Sequence, residues 1–295
     1  SGVTEAIEIG KKSGVRVHIA HLQIRPTKEH SIEEVISIME QGRNEGVEVT
    51  CDQYPYLGGQ GPVTPLFPTW SLEGNQNDIK KRFNEPAIRE KVKQYLIEQT
   101  EHYFSWSDII LWSIADPALQ GKSIQTLAHI WEKDPKDVAM DILSEYGATF
   151  TGLFFGKAEK DLRAAACWKY AAVGTDGFYS SNPATSHPRS YGTFPRMIRK
   201  YVREEGVFSL EEAVHRMTGL PASILKIEDR GTIAEGNCAD LVLFDPAKCM
   251  DTATYENPAQ PADGISYVLV NGTVVRRNGN DQHGKAGHAL RCTGR

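Results

Sequence analysis

Three side chains with the potential for chemistry follow short predicted elements of this 295-residue sequence. The first is Asp176, which follows the apolar run Ala171–Val173 within the motif VGTDG at 173–177. An apolar run that stops at a glycine is typical of a buried parallel strand. Residues just past the C-terminal ends of such strands are where α/β folds place ligands and catalytic groups. The alternative is that the Asp-Gly pair forms a plain turn.

The second side chain is His21, which closes a predicted strand over 15–21 whose apolar residues alternate. Neutral imidazole nitrogen and carboxylate oxygen are both good zinc ligands, and a carboxylate can also accept the proton of metal-bound water. His21 and Asp176 at neighbouring strand ends would therefore suit a divalent metal. Taken alone, His21 could instead be a histidine that is hydrogen-bonded to a backbone carbonyl. His18 is predicted to lie on the opposite face of the strand and to be structural.

The third side chain is Arg189, which follows Asp176 in a predicted loop over the same strand ends. A guanidinium there could bind a carboxylate through two parallel hydrogen bonds, or it could form a surface salt bridge. Tyr54 and Tyr56 flank Pro55 after another predicted strand. One phenol could hydrogen-bond the same carboxylate, while the other is expected in the core.

Composition excludes several classes of function. The formal net charge is −5, and no basic block or basic-aromatic alternation is present, so a nucleic-acid partner is not expected. No apolar run approaches the roughly 20 residues of a membrane span, so no membrane partner is expected either. The five cysteines are scattered without a CxxC motif, which favours a reducing compartment and hence a cytoplasmic location.

The elements that must position these residues alternate between helix and strand. Helices are predicted over 3–13 and 31–44, and strands over 15–21 and 47–51. This rhythm predicts an α/β fold in which a parallel sheet is joined by crossover helices. Residues 1–56 are therefore assigned to that sheet.

A long block then separates these strands from the motif around Asp176. Residues 57–170 are too long for a single crossover helix, so they are predicted to hold an inserted subdomain and the crossover. Within this block, 57–72 contains three glycines and three prolines and is predicted to be loop, and 76–101 is a charged helical segment. An insertion of this kind usually shapes a substrate pocket.

The last third of the chain falls into two parts. Residues 171–230 are predicted to hold the last strand of the main sheet and its helices, including one over 193–204. Residues 231–295 are instead predicted to form short strands, with an Asn-Gly hairpin signal at 271–272. This part is predicted to be a small β domain.

Several motifs, taken in order, resemble the N-acyl-D-amino-acid deacylases (D-aminoacylases) of the amidohydrolase superfamily. They are VHIAHL at 17–22, DQYPY at 52–56, GTDG at 174–177, HPRSYGTF at 187–194, GTIAEG at 231–236, ADLVLFDP at 239–246 and VNG at 270–272. The match runs through nearly the whole sequence. The DQYPY and HPR elements are specific to this branch of the superfamily.

The resemblance implies a metal-dependent (β/α)8 barrel that hydrolyses the amide bond of N-acyl-D-amino acids with one or two zinc ions. His21 resembles the second of the family's two later histidine ligands, and Asp176 resembles the last-strand aspartate that is both metal ligand and general base. Tyr54 and Arg189 match residues that the family uses near the substrate carboxylate. Gln23 stands where several relatives have a lysine that also meets this carboxylate.

By the same resemblance, the chain corresponds to the C-terminal part of such an enzyme. The family's HxH pair, a cysteine and another histidine would then lie upstream of Ser1, in a longer protein or in a second chain that supplies the missing barrel strands. The alternative enzyme is a cyclic amidase like hydantoinase or dihydroorotase, against which DQYPY, HPR and the long insertion argue. The non-enzyme alternative is an inactive barrel fragment with a structural or binding role.

Overall fold

The computed structural model describes residues 2–24, 31–102, 104–147, 150–178, 182–282 and 284–290. The chain divides into two compact units. The first, called the sheet unit below, comprises Ser1–Gln23, Ile32–Tyr56 and Lys160–Arg295. The second, called the helical unit, comprises Ile24–Ser31 and Leu57–Glu159.

The strands of the described residues are β1 (Val17–Ile19), β2 (Val49–Gln53), β3 (Gly59–Pro62), β4 (Ile109–Ser113), β5 (Thr151–Phe154), β6 (Ala171–Val173), β7 (Leu241–Phe244), β8 (Ile265–Val270), β9 (Thr273–Arg277) and β10 (Asn280–Asp281). The α-helices are α1 (Gly2–Ser13), α2 (Ile32–Asn44), α3 (Gln76–Phe83), α4 (Pro86–His102), α5 (Ile124–Trp131), α6 (Pro135–Tyr146), α7 (Glu159–Cys167), α8 (Arg189–Arg196), α9 (Leu210–Met217) and α10 (Gly219–Leu225). None of these helices combines the length and the apolar character that a membrane crossing requires.

The sheet unit is built on a parallel sheet with the strand order β1-β2-β6. β2 pairs with β1 on one side and with β6 on the other, and Cys51 lies opposite Ala171. The helix α2 connects β1 to β2, as the alternating pattern predicted, and the α/β fold is confirmed. β6 lies next to β2 although the whole of Leu57–Glu159 separates them in sequence.

Two glycines allow the helices to approach this sheet closely. A Cβ on Gly10 of α1 would lie 2.7 Å from side-chain atoms of both Val17 and Val47. A Cβ on Gly42 of α2 would lie 2.9 Å from Ile7 of α1. Because both positions lack a side chain, α1 packs directly on the β1 region and on α2.

The ends of β1 and β2 differ from the predicted strands. β1 stops at Ile19, two residues before His21, whose φ is +40°. β2 begins later than predicted and continues to Gln53, so that Asp52 lies inside the strand. The reason is a turn back towards β2, in which the Leu22 amide donates to the Asp52 carbonyl at 2.7 Å. The last residues of the first predicted strand therefore form a turn beside β2.

The helical unit contains an antiparallel sheet with the order β3-β5-β4, together with α3 to α6. The prediction of loop over 57–72 is wrong in part, since this segment holds β3 and two short 3₁₀ helices. Glycine and proline are tolerated in β3 because it is an edge strand that pairs only with β5 in this sheet. The predicted charged helix over 76–101 is two helices, and α4 restarts at Pro86, a residue suited to a first helical turn.

After residue 231 the chain forms short strands, as predicted, and these make an antiparallel sheet with the order β10-β9-β8-β7. Asn271 and Gly272 connect β8 to β9 with φ values of +48° and +77°. Two consecutive left-handed residues are what a tight hairpin turn requires, so the hairpin signal is confirmed.

An ion-pair network joins α4 to α6 within the helical unit. Asp137 Oδ1 lies 2.6 Å from Arg89 Nη2, and Asp137 Oδ2 lies 2.6 Å from Lys93 Nζ. Burial by itself would raise the pKa of the Asp137 carboxyl, but the hydrogen bonds from Lys93 and Arg89 outweigh it and hold that pKa below its ordinary value. The ionised carboxylate therefore stabilises the folded state.

We expect Asp137→Asn to lower the free energy of unfolding at pH 7 by roughly 1.5–3 kcal/mol, the usual range for hydrogen bonds to charged groups. The folded pKa lies below the unfolded value of about 3.9, so this contribution is complete above about pH 4 and is lost as pH falls through the folded pKa. Urea unfolding at several pH values measures it, with Glu90→Gln on α4, the helix that carries Arg89 and Lys93, as the control. A loss that is the same for both variants, or that does not shrink in acid, would contradict this assignment.

Candidate active site

His21 and Asp176 meet at the C-terminal ends of the parallel strands. His21 Nε2 lies 3.6 Å from Asp176 Oδ1. The His21 side chain is 49% exposed and that of Asp176 is 18% exposed, so both are accessible to a ligand. Asp176 has a φ of +46°, so both residues adopt left-handed backbone conformations. Such conformations are costly for residues other than glycine and are concentrated at functional sites.

Arg189 holds the other oxygen of the Asp176 carboxylate. Arg189 Nη2 lies 2.8 Å from Asp176 Oδ2, and the Arg189 side chain is only 2% exposed. The alternative of a surface salt bridge is therefore wrong. Within the described residues, Arg189 Nε and Nη1 are buried without a hydrogen-bond partner. Buried donors of this kind are rare, because leaving them unsatisfied is costly.

Tyr54 and Gln23 extend this arrangement. The Tyr54 ring lies 4.5 Å from Arg189 Cζ, and its hydroxyl donates to Gln23 Oε1 at 3.1 Å. Burial raises the pKa of Tyr54, although the neighbouring Arg189 charge opposes the shift, so the phenol stays a neutral donor. The five site residues predicted from the sequence thus form one series of contacts, in the order Gln23, Tyr54, Arg189, Asp176 and His21.

The His187 side chain contacts the backbone of Arg189, and the sequence analysis assigned His187 no role. Its side chain is buried, and its Nδ1 accepts the backbone N–H of Arg189 at 3.0 Å. It packs edge-to-face against three tyrosines, with ring centroids 6.1 Å from Tyr54, 5.7 Å from Tyr56 and 5.3 Å from Tyr255. This hydrogen bond lies at the start of α8, which begins at Arg189 rather than at the predicted residue 193. In the sequence, only the HPR motif at 187–189 drew attention to His187.

Helix α8 continues into a π-helix over Met197–Glu204, and a buried carboxylate anchors this junction. Asp251 accepts from Arg199 Nε at 2.7 Å and from Arg196 Nη1 at 3.1 Å. π-Helical turns are rare in proteins, and those that do occur are often found at functional sites. The segment around Asp251 therefore fixes the helix whose first residue is Arg189.

Asp52 is a second residue to which sequence reasoning gave no individual role. Its Oδ1 accepts the backbone N–H of His21 at 2.8 Å, and its Oδ2 lies 2.9 Å from His18 Nε2. Burial alone would raise the pKa of Asp52, but the hydrogen bonds from His18 and the His21 amide hold it below its ordinary value. His18 Nδ1 is 2.8 Å from Thr50 Oγ1, so both of its ring nitrogens have partners within the protein. This arrangement agrees with the prediction that His18 is structural.

The donor set can be tested against the zinc ion that the family resemblance implies. Two ligands on a tetrahedral zinc, each about 2.0–2.1 Å from the ion, lie about 3.3 Å apart. The 3.6 Å between His21 Nε2 and Asp176 Oδ1 is close to that separation, so the pair fits two ligand positions. Among the residues that the structure describes, no group of three or more His, Cys, Asp or Glu is placed to hold a metal ion. Cys51 is buried in β2, and burial raises its pKa, so it is not available as a thiolate.

Comparison with known proteins agrees with the family that the motifs suggested. A model of the amidohydrolase family matches residues 170–276, which include Asp176 and Arg189. The N-acyl-D-glutamate deacylase of Alcaligenes xylosoxydans xylosoxydans is 30% identical over 292 residues, which make up 99% of this chain and 51% of that protein. The D-aminoacylase of the same organism is 30% identical over 274 residues, or 92% of this chain and 54% of that protein.

A solved structure gives the same result. The N-acyl-D-glutamate deacylase of Bordetella bronchiseptica, complexed with zinc and a phosphonate inhibitor, superposes with a TM-score of 0.73 at 28% identity. The match covers 95% of this chain and 51% of that one. Residues 170–276, which include Asp176, are thus similar to the amidohydrolase family. The chain is similar along most of its length to the N-acyl-D-amino-acid deacylases, as its motifs predicted, and it spans about half the length of the relatives it matches.

Proposed function

We propose that this chain forms one side of the active site of a metal-dependent enzyme that hydrolyses the amide bond of N-acyl-D-amino acids. The observation that carries the proposal is the convergence of His21 and Asp176 at 3.6 Å, with Arg189 buried against the second oxygen of Asp176. The relatives named above support the same reaction class. The small-molecule substrate would enter at the ends of β1, β2 and β6.

In this proposal, His21 and Asp176 hold zinc. When bound, the ion would polarise the amide carbonyl and lower the pKa of the attacking water. Asp176 would accept a proton from the attacking water and would later pass it to the leaving amine. Arg189 keeps the carboxylate of Asp176 oriented, so that Oδ1 is the oxygen facing His21.

The substrate carboxylate would bind to the guanidinium of Arg189, whose Nε and Nη1 are buried without partners among the described residues. Tyr54, packed on Arg189, would add a neutral hydroxyl donor. Gln23 contributes a neutral amide at the position where several relatives have a lysine. Arg189 would therefore provide most of the electrostatic attraction for the substrate carboxylate.

We also propose that β1, β2 and β6 are strands of a (β/α)8 barrel in its C-terminal part. Residues 57–170 would be the inserted subdomain and crossover, 171–230 the last barrel strand and its helices, and 231–295 part of a small β domain. The parallel pairing of the three strands and the superposition on the Bordetella enzyme support this division. The remaining metal ligands and strands would come from a further segment or from a second chain. The number of ions, one or two, and a cytoplasmic location stay predictions.

We expect Asp176→Asn in the complete enzyme to preserve the fold and to lower turnover by about 10²–10⁴-fold, because the amide side chain cannot accept the proton. The measurement is amine release from a panel of N-acyl-D-amino acids, with cyclic imides as the substrates of the alternative cyclic amidase. Asp240→Asn, in the β domain, is the matched control. Activity of Asp176→Asn within a few-fold of the parent would refute the assignment, and a parent that cleaves only cyclic imides would refute the reaction class.

We expect Arg189→Lys to lower kcat/KM chiefly through KM, because the ammonium keeps the charge but loses the planar fork that binds a carboxylate. Steady-state kinetics with N-acyl-D-amino acids measure the effect. Arg89→Lys is the control, since Arg89 also pairs with carboxylates but lies in the helical unit. An unchanged kcat/KM for Arg189→Lys would contradict a role in substrate binding.

We expect the isolated chain to bind less than one equivalent of zinc, weakly, and to be inactive, because a catalytic zinc site normally has three protein ligands. Its solubility alone is also expected to be poor, because β1 and β6 are edge strands of a short sheet. Metal analysis after dialysis tests the first point. His21→Ala should lower the zinc content further, while His215→Ala on α9 should not. A monomer that holds stoichiometric zinc and turns over substrate would overturn this prediction.

A further inference from the structure

The geometry points to Asp52 as a positioning residue, one that sets the place of His21 and thereby the affinity of the site for its metal. The inference rests on the proposed function, because it concerns a residue that this function assigns to the metal. Asp52 lies in the middle strand β2, between β1 and β6, the strands that His21 and Asp176 follow.

Asp52 contacts the segment after β1 through both its side chain and its main chain. Its Oδ1 accepts the amide of His21 at 2.8 Å, and its carbonyl accepts the amide of Leu22 at 2.7 Å. Two consecutive amides of one turn are therefore bound to a single residue of the neighbouring strand. The backbone of His21 cannot rotate without breaking the first of these bonds.

The conformation that Asp52 holds is one that His21 would rarely adopt on its own. A φ of +40° is disfavoured for residues with a side chain, and it persists only where surrounding contacts enforce it. A hydrogen bond from an amide to an ionised carboxylate is stronger than one between neutral groups. The Asp52 carboxylate is thus suited to stabilise the turn that directs the imidazole of His21 towards Asp176.

The segment after β6 is shaped around the same carboxylate. A Cβ on Gly174 would lie 2.7 Å from Asp52 Cγ and 2.7 Å from its Oδ1, distances that real Cβ atoms essentially never show. The Gly174 amide donates to the Gln53 carbonyl at 3.0 Å, which keeps this strand end against β2. Glycine at 174 therefore makes room for Asp52 immediately before the turn that carries Asp176.

Asp52 acts through His21 and not as a further ligand. Its second oxygen is 2.9 Å from His18 Nε2, and the other ring nitrogen of His18 is held by Thr50, so the carboxylate is fixed on both sides. In the described part of the chain, no three potential ligand residues are placed around one metal position. Residues that orient a metal ligand commonly change metal affinity or activity by 10–100-fold when they are mutated.

The test uses zinc affinity of the complete enzyme, measured by competition with a chromophoric chelator, together with kcat and KM. We expect Asp52→Ala to weaken zinc binding at least 10-fold and to lower kcat, with KM changed less than 3-fold. Asp52→Asn keeps an oxygen that can accept a hydrogen bond from the His21 amide, so it should weaken zinc binding less than Asp52→Ala does. Gly174→Ala should resemble Asp52→Ala, because the new methyl group displaces the carboxylate while Asp52 itself is intact.

Asp240→Ala is the matched control. Asp240 Oδ1 also accepts a backbone amide, that of Asn271 at 2.7 Å, and its other oxygen pairs with Arg230 at 2.6 Å, in the region of the β domain. This variant should lower thermal stability and leave zinc affinity unchanged. If Asp52→Ala does not fold, Asp52→Asn and Gly174→Ala still decide the matter.

The inference is overturned if the Asp52 and Gly174 variants bind zinc as tightly as the control, or if the parent enzyme binds no zinc. Failure of the proposed function gives a different result. A parent that binds zinc without hydrolysing N-acyl-D-amino acids would refute that function, while a loss of zinc affinity in Asp52→Ala would still support the positioning role.

Discussion

The pairing of β2 with β1 on one side and β6 on the other is the interaction on which the candidate site depends. It places the turns that carry His21 and Asp176 at the same edge of one sheet. Neither residue could be brought to the other by local structure, because more than half of the chain lies between them in sequence. Main-chain hydrogen bonds therefore define the site, and its side chains then refine it.

Burial of Arg189 gives the site its electrostatic character. A guanidinium that is 2% exposed is expensive to remove from water, and a single carboxylate compensates only part of that cost. The ion pair with Asp176, the Tyr54 ring and the backbone contact to His187 all act on this one group. The proposed binding of a substrate carboxylate to Arg189 would add a second negative charge beside this buried guanidinium.

The sequence predicted those parts of the fold that depend on local pattern. The run Ala171–Val173 before Asp176, the helix-strand alternation of the first 56 residues and the hairpin at Asn271 all have short-range signals. Asp52 and His187 could not be assigned roles in the same way. Their function lies in accepting backbone amides, and for Asp52 the partner is 31 residues away. Such contacts leave no periodicity, and only the family motifs drew attention to these positions. The glycine-rich strand β3 was missed because its pairing partner, β5, is even more distant in sequence, with Gly59 opposite Phe154.

The separation between β2 and β6 also has a consequence for folding. Closing a loop of this length costs conformational entropy before any native contact can offset that cost. Non-local pairing of parallel strands is therefore intrinsically slow. β1 and β2 are close in sequence and can pair while the chain is still being synthesised. Until β6 arrives, one edge of β2 has no strand beside it and can pair with another molecule instead. Between the synthesis of Gln53 and that of Ala171, the nascent chain therefore has an open strand edge on β2 that β6 covers in the folded sheet.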